Sequence, residues 1–244
     1  MQFLRLSSGS RFWEIDFWRG LAVSAMVVFH FLFDLNFFAS YSFNLFSGEW
    51  FLLGRFAAVS MLFLVGVSLT LSFNRKSQNF LFYFKRGIQI FGFGLLITLV
   101  TFLFFSQGTI WFGVLHSIGV SIILGCFFVK RKKLALFLGI ILIVFGLYLS
   151  RFSFDFPWLL WLGFFPKNLY TFDYFPLLPW FGVVLLGVFA GNKFYVNGNR
   201  SFQIKELSNN LFVKIVSFLG RNSLIIYLIH QPILIIVLRV LILA

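Results

Sequence analysis

Long apolar runs recur along the chain at about 17–38, 51–73, 88–105, 110–129, 134–150, 176–192 and 222–243. Each approaches the roughly 17–25 residues that an α-helix needs to cross the hydrocarbon of a bilayer. Lipid gives backbone N–H and C=O groups no water to bond, so the runs are expected to be helices. A water-soluble fold of 244 residues could not hide 40 Phe, whereas lipid-facing helices carry them outward without water contact. The expected architecture is an all-α, polytopic transmembrane helix bundle of about seven spans, built as a single domain over 1–244; six or eight spans fit the same runs. Arg151 to Tyr174 is rich in aromatics and holds Pro157 and Pro166, which suits an interfacial loop or re-entrant segment. No internal repeat recurs at a fixed period.

Lys and Arg outnumber Asp and Glu by 20 to 7, but they sit in short clusters between apolar runs and form no continuous face for nucleic acid. Arg5 and Arg11, Arg75, Lys76, Lys85 and Arg86, Lys130 to Lys133, and Lys193, Arg200, Lys205 and Lys214 fall on alternate loops; Arg151 and Lys167 fall on the others. Short cytoplasmic loops retain Lys and Arg, which places the amino terminus in the cytoplasm and the carboxyl terminus outside. No cleavable leader is read before Phe17, so the first helix is expected to remain in the mature protein. Cys126, the one cysteine, lies within an apolar run and offers neither a disulfide framework nor a Cys metal site. Walker, Rossmann and HExxH patterns do not occur, and three dispersed His residues give no ligand cluster, so neither a metal nor a bound cofactor is expected. The last run lacks the Lys that a retinal Schiff base would need.

An ionisable side chain inside a span costs about 2.5–3.5 kcal/mol on insertion scales, and so asks for a partner or a function. The first run carries three. Arg19 and His30 are eleven residues apart, close to three helical turns, and Asp34 is one turn further. All three fall on nearly one face, with Arg19 near the cytoplasmic surface and His30 about 16 Å further out. Arg19 alone could be a snorkelling anchor and Asp34 a cap. His30 needs a hydrogen-bond partner, and Asp34 at i+4 is within reach to fix the ring, as general-base work requires. The reading makes His30 and Asp34 catalytic. Arg19, Arg55, His116, Asp173, Trp180 and His230 are candidate substrate contacts. Arg55 could instead pair with Asp34, and His116 could serve helix packing. His230, in "YLIHQP", could pack with Tyr227. Asp173 and Trp180 belong to "TFDYFPLLPWFG", whose Pro176 and Pro179 predict a bent entry to a helix.

The stretch "EIDFWRGLAVSAMVVFHFLFDL" resembles the opening of the heparan-alpha-glucosaminide N-acetyltransferase catalytic-domain family. "IWFGVLHSIGVS" (110–121), "DYFPLLPWFGVVLLG" (173–187) and "LGRNSLIIYLIHQPIL" (219–234) resemble family segments in the same order, so the similarity covers nearly the whole chain. Arg19 and His30 also resemble the Arg-to-His pattern in the first helix of the acyltransferase 3 proteins. The resemblance implies a transmembrane acyltransferase in a prokaryotic cytoplasmic membrane. It would take an acyl group, typically acetyl from acetyl-CoA, on the cytoplasmic side and pass it to an extracytoplasmic acceptor, a glycan amine or another amine or hydroxyl. Arg19 would help hold the donor and His30 would carry the transfer; Arg75/Lys76 and Lys85/Arg86 could attract the CoA phosphates. Membrane lipid is the implied surrounding, and a homo-oligomer is compatible with it. The alternative reading is a proton-coupled transporter or permease using His30, Asp34 and Arg55. A non-catalytic assembly partner would leave the one-face stripe of the first helix without a reason.

Overall fold

The computed structural model of the chain describes residues 11–39, 41–75, 79–105 and 107–243, with side chains through residue 241. Arg5 and Lys76 of the charge pattern lie outside these residues. Among the described residues eight α-helices follow in order: α1 (Trp13–Phe38), α2 (Gly48–Arg75), α3 (Phe80–Phe104), α4 (Val114–Gly125), α5 (Lys132–Leu149), α6 (Leu177–Phe194), α7 (Leu211–Arg221) and α8 (Ser223–Leu243). Among the described residues there is no β-strand, only three isolated bridges. Of these helices, six among the described residues, α1, α2, α3, α5, α6 and α8, are long and apolar enough to cross a membrane. The run read at 110–129 is helical only over the twelve residues of α4, about 18 Å at 1.5 Å per residue against a hydrocarbon of about 30 Å.

The chain divides into two compact units, Met1–Met61 with Ile204–Ala244, and Leu62–Gln203, so that α2 continues from one into the other. In the first unit α1 opens with Glu14 and Asp16 at its positive dipole end. Its buried face, Val23, Ala25 and Met26, packs with Ala57 of α2, and Leu219, Ile226 and Tyr227 close over them. Two glycines permit α1 to cross α7. A Cβ on Gly20 would meet the carbonyl oxygen of Val216, and one on Gly220 that of Asp16. Close backbone approach through small residues is how membrane helices gain packing where lipid supplies no hydrophobic drive between them.

Helix α7 has no counterpart among the expected spans. Asn210 caps its start, accepting from the Val213 N–H at 3.3 Å. Asn222 ends it: its Nδ2 donates to the Phe218 carbonyl at 2.8 Å. The Asn222 carbonyl then accepts from Ile226 N–H at 3.0 Å, which starts α8.

The second unit repeats the small-residue device. Gly66 of α2 lies against the backbone of Val184 in α6, Gly87 of α3 against the Gly119 carbonyl of α4, and Gly182 of α6 against the Gly139 carbonyl of α5. Thr70 adds a hydrogen bond from its hydroxyl to the Val188 carbonyl at 3.3 Å. The aromatic stretch between α5 and α6 is irregular, as its prolines imply. Phe154 N–H donates to the Phe165 carbonyl at 2.9 Å and Lys167 N–H to the Phe154 carbonyl at 3.0 Å, with Phe154, Phe156, Trp158 and Phe164 clustered around the bend. The entry to α6 is bent too. Leu178 is extended (φ −98°, ψ 120°), so regular helix begins at Pro179, whose missing N–H costs nothing in a first turn.

Gly220→Val should lower stability by about 3 kcal/mol, the upper end for overpacking, because its neighbour is backbone and cannot yield. Gly92→Ala, where a Cβ meets nothing within 4 Å, should leave stability unchanged or raise it by up to about 1 kcal/mol. Unfolding midpoints in detergent report both.

Candidate functional site

In the first unit α1 and α8 bring two imidazoles together. Helical side chains lean toward the amino end of their helix, which carries His30 Nδ1 to 3.0 Å from the Met26 carbonyl one turn back. A carbonyl only accepts, so Nδ1 holds the hydrogen. In α8 the same logic applies to His230, whose Nδ1 is 2.7 Å from the Tyr227 carbonyl. His230 Nε2 is therefore left with a lone pair, and it lies 3.3 Å from His30 Nδ1, the ring centroids being 4.8 Å apart. One hydrogen on His30 Nδ1 is thus shared between the Met26 carbonyl and His230. Nε2 of His30 carries the bare lone pair.

Asp34, one turn beyond His30, is 2% exposed. Its Oδ1 accepts from Gln231 Nε2 at 3.4 Å, while Oδ2, like Gln231 Oε1, is buried without a hydrogen-bond partner. The direct His30–Asp34 hydrogen bond expected at i+4 is not made. The ring leans back to Met26, away from the turn that bears Asp34. Each unsatisfied buried acceptor costs about 1–3 kcal/mol, and two on side chains that bond each other are atoms to which a ligand can supply the missing hydrogens. Arg19 pairs with Asp16 at 3.5 Å along α1. Arg55 is exposed, its guanidinium 4.9 Å from the centre of the Phe51 ring, a cation–π contact.

His116, Asp173 and Trp180 belong to the second unit. His116 is 2% exposed; its Nδ1 accepts from Gly113 N–H at 3.2 Å, so the hydrogen sits on Nε2, 3.4 Å from Thr98 Oγ1. Thr98 in turn donates to the Ile110 carbonyl at 2.5 Å. Asp173 Oδ2 accepts from Val114 N–H at 3.0 Å. Together His116 and Asp173 hold the first turn of α4, and a Cβ on Gly113 would collide with the carboxylate. Burial raises the Asp173 carboxyl to about 6, with the Val114 hydrogen bond opposing. Trp180 is buried, its ring 4.7 Å from that of Phe175.

Gln231 and the Met26 and Tyr227 carbonyls were not among the expected site groups. Gln231 had a signal, since it adjoins His230 in the middle of a predominantly apolar helix; a backbone carbonyl has none. Among the described residues no three His, Cys, Asp or Glu side chains come together as metal ligands.

Residues 11–232 match the family described as heparan-alpha-glucosaminide N-acetyltransferase, catalytic. No curated protein and no solved structure matches the chain.

An acid whose folded value lies above its unfolded one binds its proton more tightly when folded, so stability falls as pH rises between the two values. For Asp173 that window runs from about 4 to about 6. Asp173→Asn, neutral at every pH, should flatten the loss of thermal midpoint that the wild type shows across this window.

Proposed function

We propose, from the premise that this chain belongs to the heparan-alpha-glucosaminide N-acetyltransferase catalytic family and is a membrane acetyltransferase, that it moves an acetyl group from acetyl-CoA on the cytoplasmic side to an amine or hydroxyl on the opposite side. The observation that carries the reading is the bare Nε2 of His30. Its ring is held by the Met26 carbonyl through Nδ1, which leaves Nε2 to act on substrate as a base.

The acceptor X–H would present its hydrogen to Nε2, and X would attack the thioester carbonyl carbon as the proton leaves. The carbon–sulfur bond breaks, and the CoA thiolate takes a proton from Nε2. The net change is one acetyl group moved and one proton exchanged from X to sulfur. An acetyl-imidazole route would use the same nitrogen as nucleophile. Asp34 Oδ2 and Gln231 Oε1 are acceptors waiting for hydrogens, and in this reading they hold the acceptor's remaining N–H or O–H groups. Asp34 therefore works on the substrate, without a bond to His30. Arg19 is proposed to pair with the donor's phosphates, for which a guanidinium fork is suited, and Arg55 to meet the acceptor.

His30→Ala should reduce acetyl transfer by about 100-fold or more, the lower bound for loss of a positioned base, while elution profile and thermal midpoint stay those of the wild type. A folded His30→Ala variant that turns over at the wild-type rate would remove His30 from the chemistry.

A further inference from the structure

We infer that His30 and His230 form a two-imidazole proton relay, in which the hydrogen shared at His30 Nδ1 moves to His230 Nε2 while His30 Nε2 takes the acceptor's proton. The inference rests on the acetyl-transfer reading and adds to it a second residue.

The geometry assigns each hydrogen. The Tyr227 carbonyl, 2.7 Å from His230 Nδ1, commits that nitrogen as a donor, so the neutral ring meets His30 with a lone pair on Nε2. His30 Nδ1 is likewise a donor to Met26 and has His230 Nε2 as its second acceptor at 3.3 Å. The Met26 carbonyl can hold this hydrogen in place. Only an imidazole nitrogen can also take it as a proton. The two histidines are 200 residues apart in sequence, and His230 is 8% exposed, so the pairing is a product of packing α8 on α1 rather than of local helix geometry.

The proton balance closes within the pair. X–H gives its proton to His30 Nε2 as the X–carbon bond forms, and the Nδ1 proton passes to His230 Nε2. His30 is then neutral with its hydrogen on Nε2, and His230 is an imidazolium whose Nδ1–H stays on Tyr227. When the carbon–sulfur bond breaks, His30 Nε2 protonates the CoA thiolate and His230 returns its Nε2 proton to His30 Nδ1. Both rings end as they began. Gln231, next in the chain to His230, ties the Asp34 carboxylate into the same cluster, which places an acidic group where the relay transiently gathers positive charge.

The test uses the full chain with nitrogen-15-labelled histidine. In the wild type the expected nuclear magnetic resonance signature is a hydrogen on His30 Nδ1, a bare Nε2, and a nitrogen–nitrogen coupling across the hydrogen bond from His30 Nδ1 to His230 Nε2. His230→Gln keeps an acceptor at that place but cannot carry the proton. It should preserve the His30 Nδ1–H signal, which also shows that the variant folds, and lower kcat by about 100-fold with the KM for acetyl-CoA unchanged. A wild-type His30 hydrogen on Nε2, or wild-type kcat in a folded His230→Gln variant, would overturn the relay. A wild type that transfers no acetyl group yet shows the coupling would refute the acetyl-transfer reading and sustain the shared hydrogen.

Discussion

A buried polar atom in a bilayer has no water to bond, so each one that a helix turns inward must find its partner within the protein or await a ligand. Much of this fold follows from that constraint. Thr70, Thr98 and Tyr83 spend their hydroxyl hydrogens on Val188 or Gly66, Ile110 and Ser72, and His116 satisfies both ring nitrogens at the start of α4. Trp13 Nε1 and the hydroxyls of Ser117, Ser121 and Ser217 are buried without a partner, but each of these carries a hydrogen of its own, whereas the His30 cluster gathers acceptors. It leaves a lone pair on Nε2 and two acceptor atoms, Asp34 Oδ2 and Gln231 Oε1, without hydrogens. Within the first unit the glycine crossing of α1 and α7 keeps the helix that carries His30 in a fixed packing.

The base we propose, His30, is oriented through the Met26 carbonyl. Where a carboxylate commonly fixes the second nitrogen of a catalytic imidazole, here a main-chain carbonyl does so for each ring. The direction of helical side chains explains it, because the ring of His30 reaches back to i−4 more readily than forward to i+4. Because Asp34 makes no bond to His30, its Oδ2 stays buried without a hydrogen-bond partner. The same displacement opens Nδ1 to a second acceptor, and α8 supplies one.

The long apolar runs are legible in the sequence, since length and composition alone decide whether a helix can cross lipid. The irregular stretch between α5 and α6 was legible as well, through Pro157 and Pro166, and so was the bend before Pro179. Helix α7 was not. Its eleven residues include Lys214 and end at Arg221, with Asn222 as the cap, so it reads as a charged connection until its buried side, Val213, Val216 and Gly220, is seen. The shortness of α4 was hidden because the apolar run continues on both sides of the helix. At the site, the residue types His30, Asp34 and His230 could be singled out by the cost of placing them in lipid. Their pairing could not, because a single sequence carries no contact between positions 200 apart and gives no sign of which carbonyl a ring will choose.

Sealed vesicles report whether the acetyl group we propose to be transferred crosses the membrane. With the protein reconstituted, radiolabelled acetyl-CoA is supplied on one side and glucosamine on the other, and labelled product and free CoA are measured in each compartment. The expected result is N-acetylglucosamine on the side opposite acetyl-CoA, with an equal amount of CoA released on the donor side. Product confined to the donor side, or glucosamine crossing the membrane when acetyl-CoA is left out, would rule out transmembrane acetyl transfer.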